Sequence, residues 1–414
     1  MRRSLWVAAF ALAAFSVAAS AQQNEKEPVR PTVADPNDPN DYFDLGVQQI
    51  EHAPRDAADA FYWATRLSPG WADAHYARWA ALHLQDSVRL FLYYQGSREA
   101  ITSKEVQHVD SLMLRAMELN PFLYRRFERR MQLAALGAKF SQLRLPAPHQ
   151  VETERSDEAT KGLRSFGVED VKAIRAYTEL KFPLAIQEWA AALPNARIKS
   201  YPHAERGRIF YLLATYDSAS AEFSAALAAK ETEGKKDLLP LYESKPVYEQ
   251  SLAIIAERQK LLDAAREAYA RALQEDPSYA PSHIALSAMD LAKGDTAGAI
   301  REMEMAAKVA HNDGYTAFLF GRTLLAAAKN VQALDALKRA TALEPYFAEP
   351  HVLLAALYDG AGYEQEAVSE YAKFLALCSP RDERYVHVKE RLAKLQADSA
   401  EPNAGAKPPV PAPR

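Results

Sequence analysis

Between Asp41 and Gln396 the apolar residues recur at spacings of three and four, in segments dominated by Ala, Leu, Glu, Lys and Arg. That period is the mark of helices burying one face, and these residue types lose little on entering a helix. No segment shows convincing alternation of apolar and polar positions, so strands are not expected. The pattern predicts an all-α chain. It breaks down at both ends. Residues 22–40 are polar and proline-rich and read as a flexible leader, and residues 398–414 read as a flexible Pro/Ala-rich tail. Asn40 or Asp41 is the expected cap of the first helix.

The helical pattern repeats. Stepping by 34 residues from Ala265 reaches Ala299, Ala333 and Ala367, and stepping back by 34 from Ala219 reaches Ala185. Four residues after these six alanines stand Trp189, Phe223, Tyr269, Met303, Leu337 and Tyr371. Seven residues after them stand Ala192, Ala226, Ala272, Ala306, Ala340 and Phe374. Twelve residues before them stand Ala173, Gly207, Ala253, Ser287, Gly321 and Ala355, all small. Two helices can cross closely only where small side chains let the backbones approach, and the large residue then fills the gap.

This register resembles the tetratricopeptide repeat, a 34-residue helix–turn–helix unit. Weaker matches lie upstream, at Leu45, Gly46, Ala57, Phe61, Ala64 and Pro69, and at Met113, Ala116 and Pro121. The resemblance covers about 70% of the chain beyond residue 21 and implies an α-solenoid, a right-handed superhelix of antiparallel helix pairs. The expected divisions are two divergent repeats with an insertion (41–122), an irregular helix and loop (123–165), two repeats (166–233), an insertion (234–245), four repeats (246–381) and a capping helix (382–397). The helix of the irregular region is expected from Tyr124 to Leu143, followed by a loop with Pro146 and Pro148. In the capping helix, Val386, Val388, Leu392 and Leu395 would cover the last repeat. The first insertion falls in residues 84–108. Departures from the repeat pattern are Asp290, where an aromatic residue is usual, and Phe374, where a close-contact alanine is usual.

The N-terminus adds an address. Arg2 and Arg3 precede an apolar run from Leu5 to Ala18, and Ala19-Ser20-Ala21 supplies small residues for cleavage. This resembles a secretory signal peptide spanning residues 1–21. The run is shorter than the roughly 20 residues of a membrane span, so the remainder is expected to be exported, to the periplasm or outside the cell.

Composition narrows the chemistry. The formal net charge of -4 gives no reason to expect nucleic acid as a partner. The single cysteine, Cys378, rules out an intramolecular disulfide and multi-cysteine metal sites, and reads as a buried small residue. The ten histidines form no metal-binding spacing, and no nucleophile-elbow, dinucleotide or phosphate-loop motif occurs. No catalytic, cofactor or metal residues are assigned and no cofactor is expected. The Asp35, Asp38 and Asp41 series is too interrupted by proline for a calcium loop. The basic run Arg125-Arg126-Phe127-Glu128-Arg129-Arg130 reads as a solvated helix face.

The resemblance therefore points to binding of other proteins or peptide segments. First helices of such repeats line the inner groove, and helical phase places Tyr177, Arg208, Tyr211, Arg258, Phe318 and Arg322 on that face. Arginine interleaved with aromatic residues suits recognition. The slots that would hold a chaperone's C-terminal carboxylate carry Ile254, Ala288, Arg322 and Ala356, so that clamp is not expected. The expected role is an interaction scaffold in an envelope assembly, export or secretion complex. Two alternatives stand beside it: an enzyme or accessory subunit with a site in 123–165, and a self-assembling structural protein with the aromatic segment at 91–94 exposed at a contact.

Overall fold

The structure, a computed structural model, describes residues 26–94, 103–142, 168–196, 198–233 and 243–400. Residues 1–21, the expected signal peptide, lie outside the described residues, as do Pro146, Pro148, residues 234–242 of the 234–245 insertion and residues 401–414 of the tail.

Among the described residues there are 19 α-helices and no strand. The first eight are α1 (Pro39–Gln49), α2 (Pro54–Leu67), α3 (Ala72–Leu84), α4 (Ser87–Tyr94), α5 (Lys104–Leu119), α6 (Glu128–Gln142), α7 (Val168–Thr178) and α8 (Phe182–Ala192). They continue as α9 (Ser200–Leu212), α10 (Tyr216–Thr232), α11 (Lys245–Arg258), α12 (Leu262–Glu275), α13 (Ala280–Lys293) and α14 (Thr296–Val309). The last five are α15 (Gly314–Ala326), α16 (Asn330–Leu343), α17 (Glu349–Gly360), α18 (Glu364–Leu377) and α19 (Tyr385–Ala400). Eight pairs pack together: α1 with α2, α3 with α5, and then consecutive helices from α7 to α18. Each pair also packs on the next from α7 onward. The result is a tetratricopeptide-like α-solenoid.

The repeat register explains the packing directly. A Cβ added at Gly207 would lie 2.8 Å from the Phe223 ring, and one at Gly321 would lie 2.7 Å from Leu337. These are the expected small–large pairs. Trp189, Phe223, Met303 and Leu337 are all essentially without solvent contact. Each first helix from α7 onward then ends in the same way. Leu180, Ala214, Lys260, Gly294, Ala328 and Gly362 have positive φ, between 56° and 81°. The following N–H reaches five residues back, from Lys181 to Ala176, Thr215 to Phe210, Leu261 to Ala256, Asp295 to Asp290, Lys329 to Leu324 and Tyr363 to Tyr358, at 2.8–2.9 Å. This left-handed stop satisfies an orphan carbonyl and turns the chain into the second helix. A further tie recurs with 19-residue spacing: His203 to Glu222, His283 to Glu302 and His351 to Glu370, at 2.6–2.7 Å.

Several details correct the sequence reading. The cap of α1 is Asp38, which accepts the Asn40 N–H at 2.9 Å, because Pro39 fits the first helical turn. The helix expected from Tyr124 starts only at Glu128, and residues 120–127 form turns and extended chain. The basic run is no solvated face: Arg125 is buried, Arg129 pairs with Glu179 at 2.7 Å and Arg130 with Glu51 at 2.8 Å. Asp290 is buried and accepts a bond from Arg266, which replaces an aromatic contact with a charged one. The 91–94 segment is largely packed, not exposed. Tyr93 is buried with its hydroxyl 3.2 Å from Asp110, and Leu92 is the exposed member. In α19, Val388 and Leu395 cover Phe374 and Cys378, while Val386 is 62% exposed. Burial pushes the Cys378 thiol up to about 12, which keeps it protonated.

Candidate inner-face interface

The face formed by the first helices is partly filled by the chain itself. After α5, Asn120 accepts the Phe122 N–H at 3.0 Å and starts a turn, and Pro121 prevents helix continuation. The segment then crosses α7 and α9. The Arg208 Nε donates to the Pro121 carbonyl at 3.3 Å. Phe122 stacks on Tyr211 with ring centroids 3.5 Å apart and 12° between planes. The Tyr177 hydroxyl accepts the Arg125 N–H at 3.0 Å, and the Tyr124 hydroxyl donates to the Thr178 carbonyl at 3.1 Å.

Beneath this segment lies a sealed charge cluster. Arg125 meets Glu205, and Glu128 at 3.3 Å; Arg208 meets Glu205, and Glu243 at 3.0 Å; Tyr248 donates to Glu243 at 2.7 Å. All six side chains are buried. Burial raises the Glu128 carboxyl. In Glu243 burial pushes the same way, but Arg208 beside it holds the group below the usual carboxylate range. Removing one partner would strand a charge in the interior, so the cluster fixes the crossing of the segment. Its members face each other, not solvent. Among the described residues no three His, Cys, Asp or Glu side chains are placed to hold a metal ion.

The N-terminal pairs continue this fold-back along the loops that link successive later pairs. Gln250 donates to the Glu118 carbonyl at 2.9 Å. Arg115 pairs with Asp313 at 2.8 Å and lies 5.9 Å from the Tyr315 ring centre. That ring also closes on Gly70, where a Cβ would lie 2.5 Å from it. Arg66 pairs with Glu344 at 2.7 Å, and Trp63 meets Tyr346 edge-on at 5.0 Å. Farthest along, Asn37 donates to the Ala376 carbonyl at 2.8 Å, Ser379 to Asp35 at 2.6 Å, and Arg381 to both Asp38 and Asp41 at 2.8 Å. The aspartate series read above thus grips the far end of the array. Burial pushes Glu118 and Glu344 up to about 7, and it lowers the buried His75 to about 4.

The six residues expected to line the groove therefore divide. Tyr177, Arg208 and Tyr211 hold the chain's own 121–125 segment. Phe318 is buried against Phe347, with centroids 5.0 Å apart. Arg258 is exposed and donates to the Tyr211 hydroxyl at 3.1 Å. Arg322 is exposed over the Phe318 ring at 5.7 Å and forms no ion pair with a described carboxylate. Between these two arginines α13 presents Ile284 and Leu291, half-buried, and Ala288, exposed. Sequence reasoning missed Glu205, Glu243 and the crossing segment, for which Pro121 was the one visible signal.

No protein-family model matches the chain, and no curated protein resembles it in sequence. Similar solved structures include the C-terminal part of a TPR repeat-containing protein from Cytophaga hutchinsonii, at 17% identity, covering 55% of this chain and 88% of that one, with TM-score 0.44. Yeast Tom70 matches at 12% identity over 88% of this chain and 91% of its own, with TM-score 0.44. YrrB, described as a TPR protein with an unusual peptide-binding site, matches at 14% identity over 50% of this chain and all of its own, with TM-score 0.38. At such scores the fold assignment rests on the chain's own helix register.

Proposed function

We propose that this protein is an exported interaction scaffold that binds a segment of another protein across the stretch from Arg258 through Ile284, Ala288 and Leu291 to Arg322. The supporting observation is the neighbouring stretch. There, Tyr177, Arg208 and Tyr211 hold a non-helical segment of the chain by one carbonyl bond, one N–H bond and one ring stack. Arg322 stands in the same repeat register as Arg208, nine residues into the unit whose small residue precedes it by one, Gly321 in one case and Gly207 in the other. A partner segment would complete what the chain's own segment leaves empty, with carbonyls or carboxylates facing the two arginines. Nucleic acid is a poor fit to a chain of net charge -4. No described helix is long and apolar enough to cross a membrane. Export rests on the pattern of residues 1–21.

The test has two parts. A reporter enzyme active only outside the cytoplasm, fused after residue 40, reads export. A photoreactive residue at Ala288 captures whatever lies on the open stretch, with and without Arg258→Glu and Arg322→Glu. Arg208 is left unchanged because reversing it would break the buried cluster. Capture lost in the reversed but still helical variant supports the reading. Capture that is unaffected by reversal, or absent, sinks it.

A further inference from the structure

Three consecutive hairpins between paired helices expose leucines to solvent. They are Leu180 and Leu184 in the α7–α8 hairpin, Leu212 and Leu213 in α9–α10, and Leu261 and Leu262 in α11–α12, between 38 and 61% exposed. The second and third hairpins are fastened side by side: Gln259 donates to Asp217 at 2.6 Å, and Arg258 to the Tyr211 hydroxyl at 3.1 Å. The next hairpin, Gly294-Asp295-Thr296, carries no large apolar side chain, so the strip ends there. Leu180 is doubly unfavourable in an isolated chain. It sits at φ 58°, where a residue with a Cβ is strained, and shows most of its side chain to water.

We infer that this leucine edge is a homodimer interface, formed by a second copy of the chain packing antiparallel about a two-fold axis near Leu213. The six side chains expose roughly 500 Å² of apolar surface, enough for the core of an interface that takes about 800 Å² per partner once a polar rim is added. The rim carries both signs, with Lys181 and Lys260 beside Asp217 and Asp263, and Asp263 is 97% exposed. A mixed rim offers nothing to an anionic lipid surface. A two-fold arrangement uses it, because the first hairpin of one copy faces the third hairpin of the other, placing Lys181 opposite the second copy's Asp263 and Glu179 opposite its Lys260. The edge is opposite in kind to the inter-repeat loops used by the fold-back, so a dimer leaves that contact intact.

Sedimentation equilibrium on the full chain reads the dimer, and Leu180→Lys, Leu213→Lys and Leu261→Lys together test the edge. The expected result is a dimer in the parent and association weakened by far more than roughly tenfold in the helical variant. A second measurement stands even if that variant misfolds. Leu213→Cys at the axis should form an intermolecular disulfide under mild oxidation, while Val331→Cys, more exposed but off the strip, should not. Lys181→Asp alone should weaken the dimer, and adding Asp263→Lys should restore it. A monomeric parent chain, a dimer indifferent to the leucines, or equal cross-linking at both cysteines would overturn the inference.

Discussion

The left-handed hairpin stops make a quantitative prediction. Six equivalent residues take positive φ, yet only Gly294 and Gly362 are glycine. A side chain in this conformation costs about 1–2 kcal/mol. Glycine gives back part of that, about 0.5–1 kcal/mol, through the freedom of its unfolded chain. Ala214 and Ala328 are exposed, so replacing either methyl forfeits no packing. Ala214→Gly and Ala328→Gly should each stabilise by about 0.5–1 kcal/mol. They lie in well-separated repeats, so the double variant should gain about 1–2 kcal/mol. The reverse change isolates the backbone. A Cβ at Gly294 would meet nothing within 4 Å, so Gly294→Ala should lose a similar amount for conformational reasons alone. Equilibrium urea unfolding followed by circular dichroism reads the shifts in midpoint. Glycine variants no more stable than the parent, or a neutral Gly294→Ala, would refute the strain argument.

Other outcomes follow from the core and the fold-back. Trp189→Ala should cost about 3–5 kcal/mol, because the buried indole leaves a cavity between pairs; an unchanged melting curve would contradict its placement. Ala306→Leu should cost roughly 1–3 kcal/mol by overfilling the contact beside Met303, and a silent result would contradict the register there. The fold-back should depend on pH. Glu118 and Glu344 have folded values near 7, above the unfolded carboxyl, so their contribution to stability is fully present below about 4.5 and is lost as pH rises through 7. His75, lowered to about 4, acts in the opposite sense: its contribution is present above about 6.5 and is lost as pH falls through 4. Lowering pH from 7.5 to 6.5 should therefore raise the melting temperature, and Glu344→Gln should stabilise at pH 8 and flatten that response. A parent that melts lower at pH 6.5 than at 7.5 would contradict the burial of these carboxyls.

The helix pairs were legible because their cause is local and periodic. The alanines spaced by 34 residues, the glycines beneath Phe223 and Leu337, and the apolar face of α19 all follow from side chains a few positions apart. The left-handed stops were less visible, since Leu180 and Lys260 give no glycine signal. What no period could reveal was the fold-back. Arg66 and Glu344, or Asp35 and Ser379, are hundreds of residues apart, and their meeting depends on the summed curvature of all intervening pairs. The same distance effect misled the reading of Arg125. In sequence it belongs to a basic run, whereas in space it is matched by Glu205, on a helix two pairs later. Helical phase gave Arg208 a face, but the phase of a helix cannot tell whether that face is open or already occupied, and Arg208 holds the Pro121 carbonyl.

The central claim is that the N-terminal pairs close onto the inner face and loops of the later pairs. Tyr315 is the most direct reporter, because its ring packs on Gly70 and beneath Arg115. A photoreactive phenylalanine derivative at position 315, irradiated at low protein concentration and mapped by mass spectrometry, should link to the α2–α3 loop around Gly70 or to α5 near Arg115 within the same chain. Links confined to α15 and its adjoining pairs would show an open array and contradict the account.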